Sequence, residues 1–224
     1  MSELVARTGR LHQRYEAGCR LVAGCIPFKY RSPAETSDGG SQKILEVLMI
    51  SSASGHGLVF PKGGWENDET VEEAAAREAV EEAGVRGELL SCVFTDNDIR
   101  IWLKIAQIRY ASQGIIGVIE ASADYEEFLG YYEFKSKTLQ DDCCPEGICK
   151  AAMFALLVKE ELQFWPEQST RKRSWLTIPE AVHSCRHQWM RNALENSFLK
   201  WHEEQMVNTS KKENHLILPA SLPN

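Results

Sequence analysis

The sequence predicts an α/β (α+β) domain, a mixed sheet carrying helices on both faces. Three observations predict it. Apolar, β-branched runs of strand length recur between turn residues. A strongly capped helix of alanine and glutamate follows a glycine pair, and a second helical pattern comes late in the chain. Strands interleaved with a few helices bury their apolar faces most simply as layers on one sheet. A chain of 224 residues has room for one such domain with a full core.

In chain order, Arg20–Phe28 and Lys43–Ser51 read as strands on either side of a polar loop over Ser32–Gln42. Leu58–Phe60 reads as a short strand, followed by a tight loop at Pro61-Lys62-Gly63-Gly64. From Thr70 to Ala83 the signals are helical. Thr70 and Glu73 have capping-box spacing, and Gly84 stands where a C-terminal cap belongs. Val85–Val93 is the next strand, and Tyr131–Lys135 and Ala151–Leu162 are later ones, with Pro166 ending the last region. Pro179 opens a helix that runs through Ala181, Val182, Cys185, Trp189 and Leu194 to about Met206.

The chain therefore divides into an N-terminal segment over 1–17, a domain over 18–206 and a flexible tail over 207–224. Residues Ser91–Phe128 fit least well, being too apolar for a linker and carrying no nameable motif. They read either as an extra strand pair or helix on the domain edge, or as a translated intron or similar gene-model artefact.

Composition excludes several classes. The 25 basic and 32 acidic residues leave a net charge of −7, which argues against a generally basic nucleic-acid binder while allowing a local basic pocket. No apolar run approaches the ~18–20 residues a membrane-spanning helix needs. The seven cysteines, odd in number and with no signal-peptide pattern ahead of them, read as reduced thiols. Arg7, Arg10 and Arg14 near the start would suit a mitochondrial transit peptide, but the stretch lacks the serine content and visible amphipathicity of one. Cytoplasm or nucleus is the expected compartment, with the mitochondrion as the alternative.

Gly63 to Val85 carries the chemistry. At ~100° per residue, Glu78 and Glu82 lie about 40° apart on the helix, and Glu81 about 60° to the other side of Glu78. An alanine stripe of Ala75, Ala79 and Ala83 beside them brings the helix close to a sheet, so the carboxylates sit at the edge of the buried face. Such a cluster repels itself, and burial raises its pKa values. A hard divalent cation such as Mg²⁺ removes both penalties. A solvated Glu-rich helix is the bland alternative, but the Gly63-Gly64 turn before the cap and Arg77 within reach of Glu69 weigh against it.

The spacing G-x5-E-x7-R-E-U-x-E-E-x-G-U, with U aliphatic, is met at Gly63, Glu69, Arg77, Glu78, Glu81, Glu82 and Gly84, with Ala79 and Val85 as the aliphatic residues. The sequence resembles the Nudix hydrolases on this motif. Phe60-Pro61-Lys62-Gly63-Gly64-Trp65-Glu66, Trp165-Pro166-Glu167 and Arg171-Lys172-Arg173-Ser174-Trp175 are similar to the plant branch acting on diphosphoinositol polyphosphates, some relatives of which hydrolyse diadenosine polyphosphates. The resemblance spans roughly Arg7 to Met206 except Ser91–Phe128.

It implies an α/β/α sandwich with a mixed sheet and Mg²⁺-dependent pyrophosphate hydrolysis, Mn²⁺ being an alternative ion. Glu78 and Glu82 would ligate metal and Glu81 would serve the attacking water, with Glu69, Arg77 and Gly84 structural. Arg20, Ser51, Ser52, Lys62, Gly63, Gly64, Lys135, Lys137 and Lys172 match phosphate-contact positions. The partner implied is a small polyphosphate, with no nucleic acid and no membrane, and the oligomeric state is left open. A non-catalytic polyphosphate-binding module is the reading of another class, and the three mutually repelling carboxylates argue against it. Zinc at Cys143, Cys144 and Cys149 lacks ligand spacing, and the tryptophans read as packing anchors.

Overall fold

A computed structural model describes residues 5–7, 9, 12–32, 43–52, 55–90, 129–136 and 147–215. The loop read over Ser32–Gln42, the Ser91–Phe128 segment, Lys137, Cys143 and Cys144 fall largely or wholly outside the described residues.

Two long strands form the centre. β2 (Cys19–Arg31) and β8 (Ile148–Glu161) run parallel, with Ala23 opposite Ala152 and Cys25 opposite Phe154. Both are almost continuously apolar through their middles, as strands covered on both faces must be. β1 (Tyr15–Glu16) folds back on β2 through Ala17 and Gly18, both at positive φ. β3 (Ile44–Ser51) lies antiparallel to the far end of β2, and β4 (Leu58–Val59) lies antiparallel to β3.

β5 (Lys62–Gly64) pairs with β2 over Val22–Gly24. Pro27 falls between the part of β2 that pairs with β5 and the part that pairs with β3, a gap in the antiparallel ladder where a missing N–H is tolerated. After α1 (Val71–Ala83), β6 (Val85–Leu90) and β7 (Gly130–Lys135) pair antiparallel with the two halves of β8. β9 (Arg173–Thr177) pairs with β3 and completes the mixed sheet.

α1 covers one face through Ala74, Ala75, Ala79 and Ala83, all buried and small enough to let the helix axis approach the strands. The other face is covered by α2 (Ile178–Ser184), α3 (Gln188–Asn192), a π-helical stretch (Ala193–Phe198) and α4 (Leu199–His215). Phe28 anchors them. Its ring meets Phe198 at 5.3 Å and Trp201 at 5.7 Å, both edge-on. The result is the α/β/α sandwich expected from the resemblance.

Four local expectations need correction. Lys62–Gly64 is a strand rather than a free loop, because Ala23 offers Gly63 a ladder position. The late helix is interrupted at Cys185–His187. There the chain turns extended, and Arg186 N–H donates to Leu58 O at 2.9 Å. Helix α4 continues to His215, into the stretch read as a tail. The fold also begins ahead of residue 18, since Gln13 bridges Glu66 and Arg14 lies over Trp65 at 4.4 Å.

Candidate active site

The site is built by α1 standing over β5. Thr70 Oγ1 accepts from Glu73 N–H at 3.2 Å and Glu73 Oε2 accepts from Thr70 N–H at 2.8 Å, closing the capping box. Gly84 ends the helix in the left-handed region, φ 63°, donating back to Val80 O. A side chain there would also meet Trp165, so both space and conformation demand glycine. With both ends fixed, the helix turns Glu78, Glu81 and Glu82 inward, where they are 7%, 6% and 6% exposed.

Arg77 organises one side. Its Nε and Nη2 grip Glu69 in a fork at 2.9 and 2.8 Å, and Nη2 also donates to Gly64 O at 2.9 Å. Its Nη1 donates to Glu78 at 2.7 Å and to Glu81 at 3.3 Å. Glu69 accepts further from Glu66 N–H at 3.0 Å. Burial alone would raise the Glu69 pKa, but these hydrogen bonds and the Arg77 charge take it below the ordinary value.

On the other side, Glu82 accepts from Lys62 N–H at 2.9 Å and from the Arg171 guanidinium. Arg171 Nε reaches Glu167 at 2.8 Å. Glu81 takes the Arg7 backbone N–H at 3.3 Å. Desolvation raises the pKa of all three glutamates. For Glu78 the Glu82 charge adds to it, while for Glu82 the nearby Lys62 and Arg171 charges oppose it.

Gly63 and Gly64, matched by the resemblance to phosphate-contact positions, also make room for the protein's own side chains. A Cβ on Gly63 would stand 2.1 Å from Glu78 Oε1, and one on Gly64 would stand 2.4 Å from Gln13 Nε2. The glycines admit the protein's own side chains. Beside them lies a cleft of about 300 Å³ bordered by Arg7, Gln13, Arg20, Arg77 and Glu78. Arg20 is only 9% exposed, and its Nε donates to the neutral Gln13 Oε1 at 2.5 Å.

The other residues expected to contact phosphate are scattered in role. Ser51 is tied to the Lys172 backbone, donating to Lys172 O at 2.8 Å and accepting from Lys172 N–H at 2.9 Å. The Ser52 hydroxyl accepts from Arg186. The Lys62 ammonium lies 5.9 Å above the Phe134 ring, whereas Lys135 and Lys172 are exposed. Arg173, next to Lys172, stacks on Trp165 and donates to Gly84 O and Leu162 O, clamping the end of the helix. Sequence reasoning assigned no role to Glu167, Gln13 or the Glu81 contact of Arg7. These lie on loops, where no periodicity marks them.

Hard carboxylate oxygens, buried and destabilised as anions, fit a hard divalent cation. Among the described residues no three acidic, histidine or cysteine side chains already converge as a cage. The glutamate oxygens are instead turned toward guanidinium groups.

The family model of the NUDIX domain matches residues 37–110, running into the Ser91–Phe128 segment. Nudix hydrolase 16, mitochondrial, of Arabidopsis thaliana is 57% identical over 207 residues, covering 92% of this chain and 95% of its own. Nudix hydrolase 13, mitochondrial, of the same plant is 45% identical, covering 98% and 92%. A solved NUDIX hydrolase from Nitrosomonas europaea overlays at TM-score 0.49 and 12% identity, covering 81% of this chain and 90% of its own.

The relatives define the class, an enzyme that hydrolyses phosphoanhydride bonds. The chain belongs to the Nudix hydrolases, pyrophosphohydrolases that act on small molecules and need a divalent metal. Among the described residues no helix is long and apolar enough to cross a membrane. The mitochondrial names belong to the relatives, and nothing supports the cytoplasm or nucleus expected here.

Proposed function

We propose that this Nudix hydrolase cleaves diphosphoinositol polyphosphates. The observation that carries the reading is Arg20, a buried guanidinium at the cleft whose hydrogen-bonded side-chain partner among the described residues is the neutral Gln13. A buried cation of this kind is stabilised by an anion arriving from outside. Lys62 stands near Glu82 and Lys172 is exposed beside Ser51. Together they suit a ligand carrying several phosphates, each taking a charge-assisted hydrogen bond.

In this reading Glu78 and Glu82 hold Mg²⁺ or Mn²⁺. When bound, the ion lowers the pKa of water and neutralises charge on the phosphoryl oxygens. Glu81 takes the proton of the attacking water, and its raised pKa brings it nearer to the operating range of a base at neutral pH. Arg77 holds Glu78 and Glu81 in register through one Nη1 and fixes the Glu69 loop with the rest of its fork. Gly63 keeps the space Glu78 occupies. Lys135, exposed at the end of β7, is matched by the resemblance to a further phosphate contact, and Lys137, matched likewise, lies outside the described residues.

A diadenosine polyphosphate is the second reading, favoured by one feature. Phe134 and Trp189 stack at 5.1 Å and 9° with the Lys62 ammonium nearby, a surface on which a base could lie. Trp165, Trp175 and Trp201 are engaged elsewhere, over Arg173, over Lys29 and within the core. The test compares phosphate release from diphosphoinositol pentakisphosphate with nucleotide release from diadenosine hexaphosphate, using Mg²⁺ and with Glu81→Gln as blank. Faster inositol turnover, with KM raised in Lys62→Ala and Lys172→Ala most for the most phosphorylated ligands, supports the first reading. Preference for the dinucleotide refutes it. The names of the relatives favour the mitochondrion, which fractionation of the full chain would check.

A further inference from the structure

We propose that Arg171 is an internal stand-in for the metal, an exchangeable counter-cation that occupies Glu82 until a divalent ion displaces it onto Glu167. The inference rests on the reading of Glu82 as a metal ligand. One Glu82 oxygen accepts from the Lys62 backbone, and the other faces the Arg171 guanidinium. A divalent ion that uses that second oxygen meets a positive charge already seated on it. Two cations on one carboxylate oxygen repel, so one must leave.

The structure provides the place to go. Arg171 Nε is already on Glu167 Oε2 at 2.8 Å, so rotation about the last side-chain bonds can take Nη2 off Glu82 while the guanidinium stays on Glu167. The Glu167 side chain is 31% exposed, against 7% for that of Glu82, so it can carry the guanidinium in partly hydrated surroundings. Its backbone is fixed to the site, because Glu167 N–H donates to Glu81 O at 3.1 Å at the end of helix α1. The acceptor loop and the metal-site helix therefore keep their spacing during the exchange.

The same arrangement accounts for the lack of a ready carboxylate cage among the described residues. With Arg77 on Glu78 and Arg171 on Glu82, buried carboxylates are neutralised from within. A metal-free protein without Arg171 would keep Glu82 buried beside Glu78 with one cation fewer, which is costly. The exchange lowers that cost before metal arrives and weakens metal binding by the same interaction. Arg171 is in this sense a positioning residue for the metal site.

The test titrates Mn²⁺ into the full chain, by electron paramagnetic resonance or calorimetry, for wild type, Arg171→Met and Glu167→Gln, with melting curves in EDTA and in Mg²⁺. Arg171→Met is expected to bind Mn²⁺ roughly tenfold more tightly, the equivalent of one charge-assisted hydrogen bond no longer to be broken. It should also melt lower than wild type in EDTA and closer to it in Mg²⁺. Glu167→Gln removes the negative charge that receives the guanidinium and should bind Mn²⁺ more weakly. If Arg171→Met does not fold, Arg171→Gln serves in its place. Unchanged or weaker Mn²⁺ binding without the Arg171 guanidinium overturns the proposal, as does unchanged binding in Glu167→Gln. Glu82→Gln separates the layers. If that variant binds Mn²⁺ like wild type, the reading of Glu82 as ligand fails and the exchange with it. If it loses binding while Arg171→Met stays at wild-type affinity, only the exchange fails.

Discussion

Gly63→Ala tests the coupling of fold to site most directly. The added methyl would lie 2.1 Å from Glu78 Oε1, 2.3 Å from its Cδ and 2.4 Å from Oε2. Ordinary carbon–oxygen contacts lie near ~3.5 Å, so the carboxylate must retreat by more than about 1 Å. The backbone does not resist, because Gly63 has no positive φ and its ladder position opposite Ala23 accepts any residue. The cost falls on Glu78, which loses its 2.7 Å bond to Arg77 while remaining buried. Losing one charge-assisted hydrogen bond costs roughly 1.5–3 kcal/mol, or ~3–12 °C in Tm for a chain of this size. Misplacing a reacting group by ~1 Å costs about 100-fold in rate. The assay is kcat with Mg²⁺ on a pyrophosphate substrate, alongside thermal melting. A variant that folds and keeps kcat within about threefold of wild type would refute the claim that this glycine exists to admit Glu78.

Three further outcomes follow from the geometry. Glu81→Gln should keep its fold and lose about 10²–10⁴ in kcat, since it removes a proton acceptor and almost no volume; unaltered turnover would remove Glu81 from the role of base. Arg14→Ala should lower stability by roughly 2–3 kcal/mol, because Arg14 covers Trp65 and donates to the carbonyls of Glu66, Asn67 and Glu69; a Tm within 1 °C of wild type would show that the N-terminal segment is dispensable. For pH, Glu78 and Glu82 have folded-state pKa values above their unfolded ones, so their contribution is fully present below the unfolded value and is lost as pH rises toward neutrality. In EDTA the Tm should therefore fall between about pH 5 and 8. Glu78→Gln should flatten that slope, and a slope equal to wild type would contradict the shift.

The central chemistry was open to reading because it is local. A helix with Thr70 and Glu73 at one end, Gly84 at the other and glutamates spaced by three and four residues has its geometry set by neighbours within a few turns. The same holds for Arg77 and Glu69, whose fork spans the start of that helix. Strand content was legible from apolar runs, though not the ends. β8 starts at Ile148 rather than Ala151, since partners on β2 and β7 extend it.

What the sequence by itself determined is the family, the sandwich of layers and the carboxylate arc on α1, all products of short-range spacing. What only the tertiary structure decided is which charges those carboxylates meet. Arg171 and Glu167 come from the loop that follows β8, Arg7 from the N-terminal segment and Lys62 from a strand formed only because Ala23 is there to pair. The break at Cys185 likewise depends on Leu58, more than a hundred positions away. Periodicity reports which face of a helix is buried, but the counter-charge that makes burial tolerable is chosen by contacts between distant segments, and a linear pattern carries no record of them.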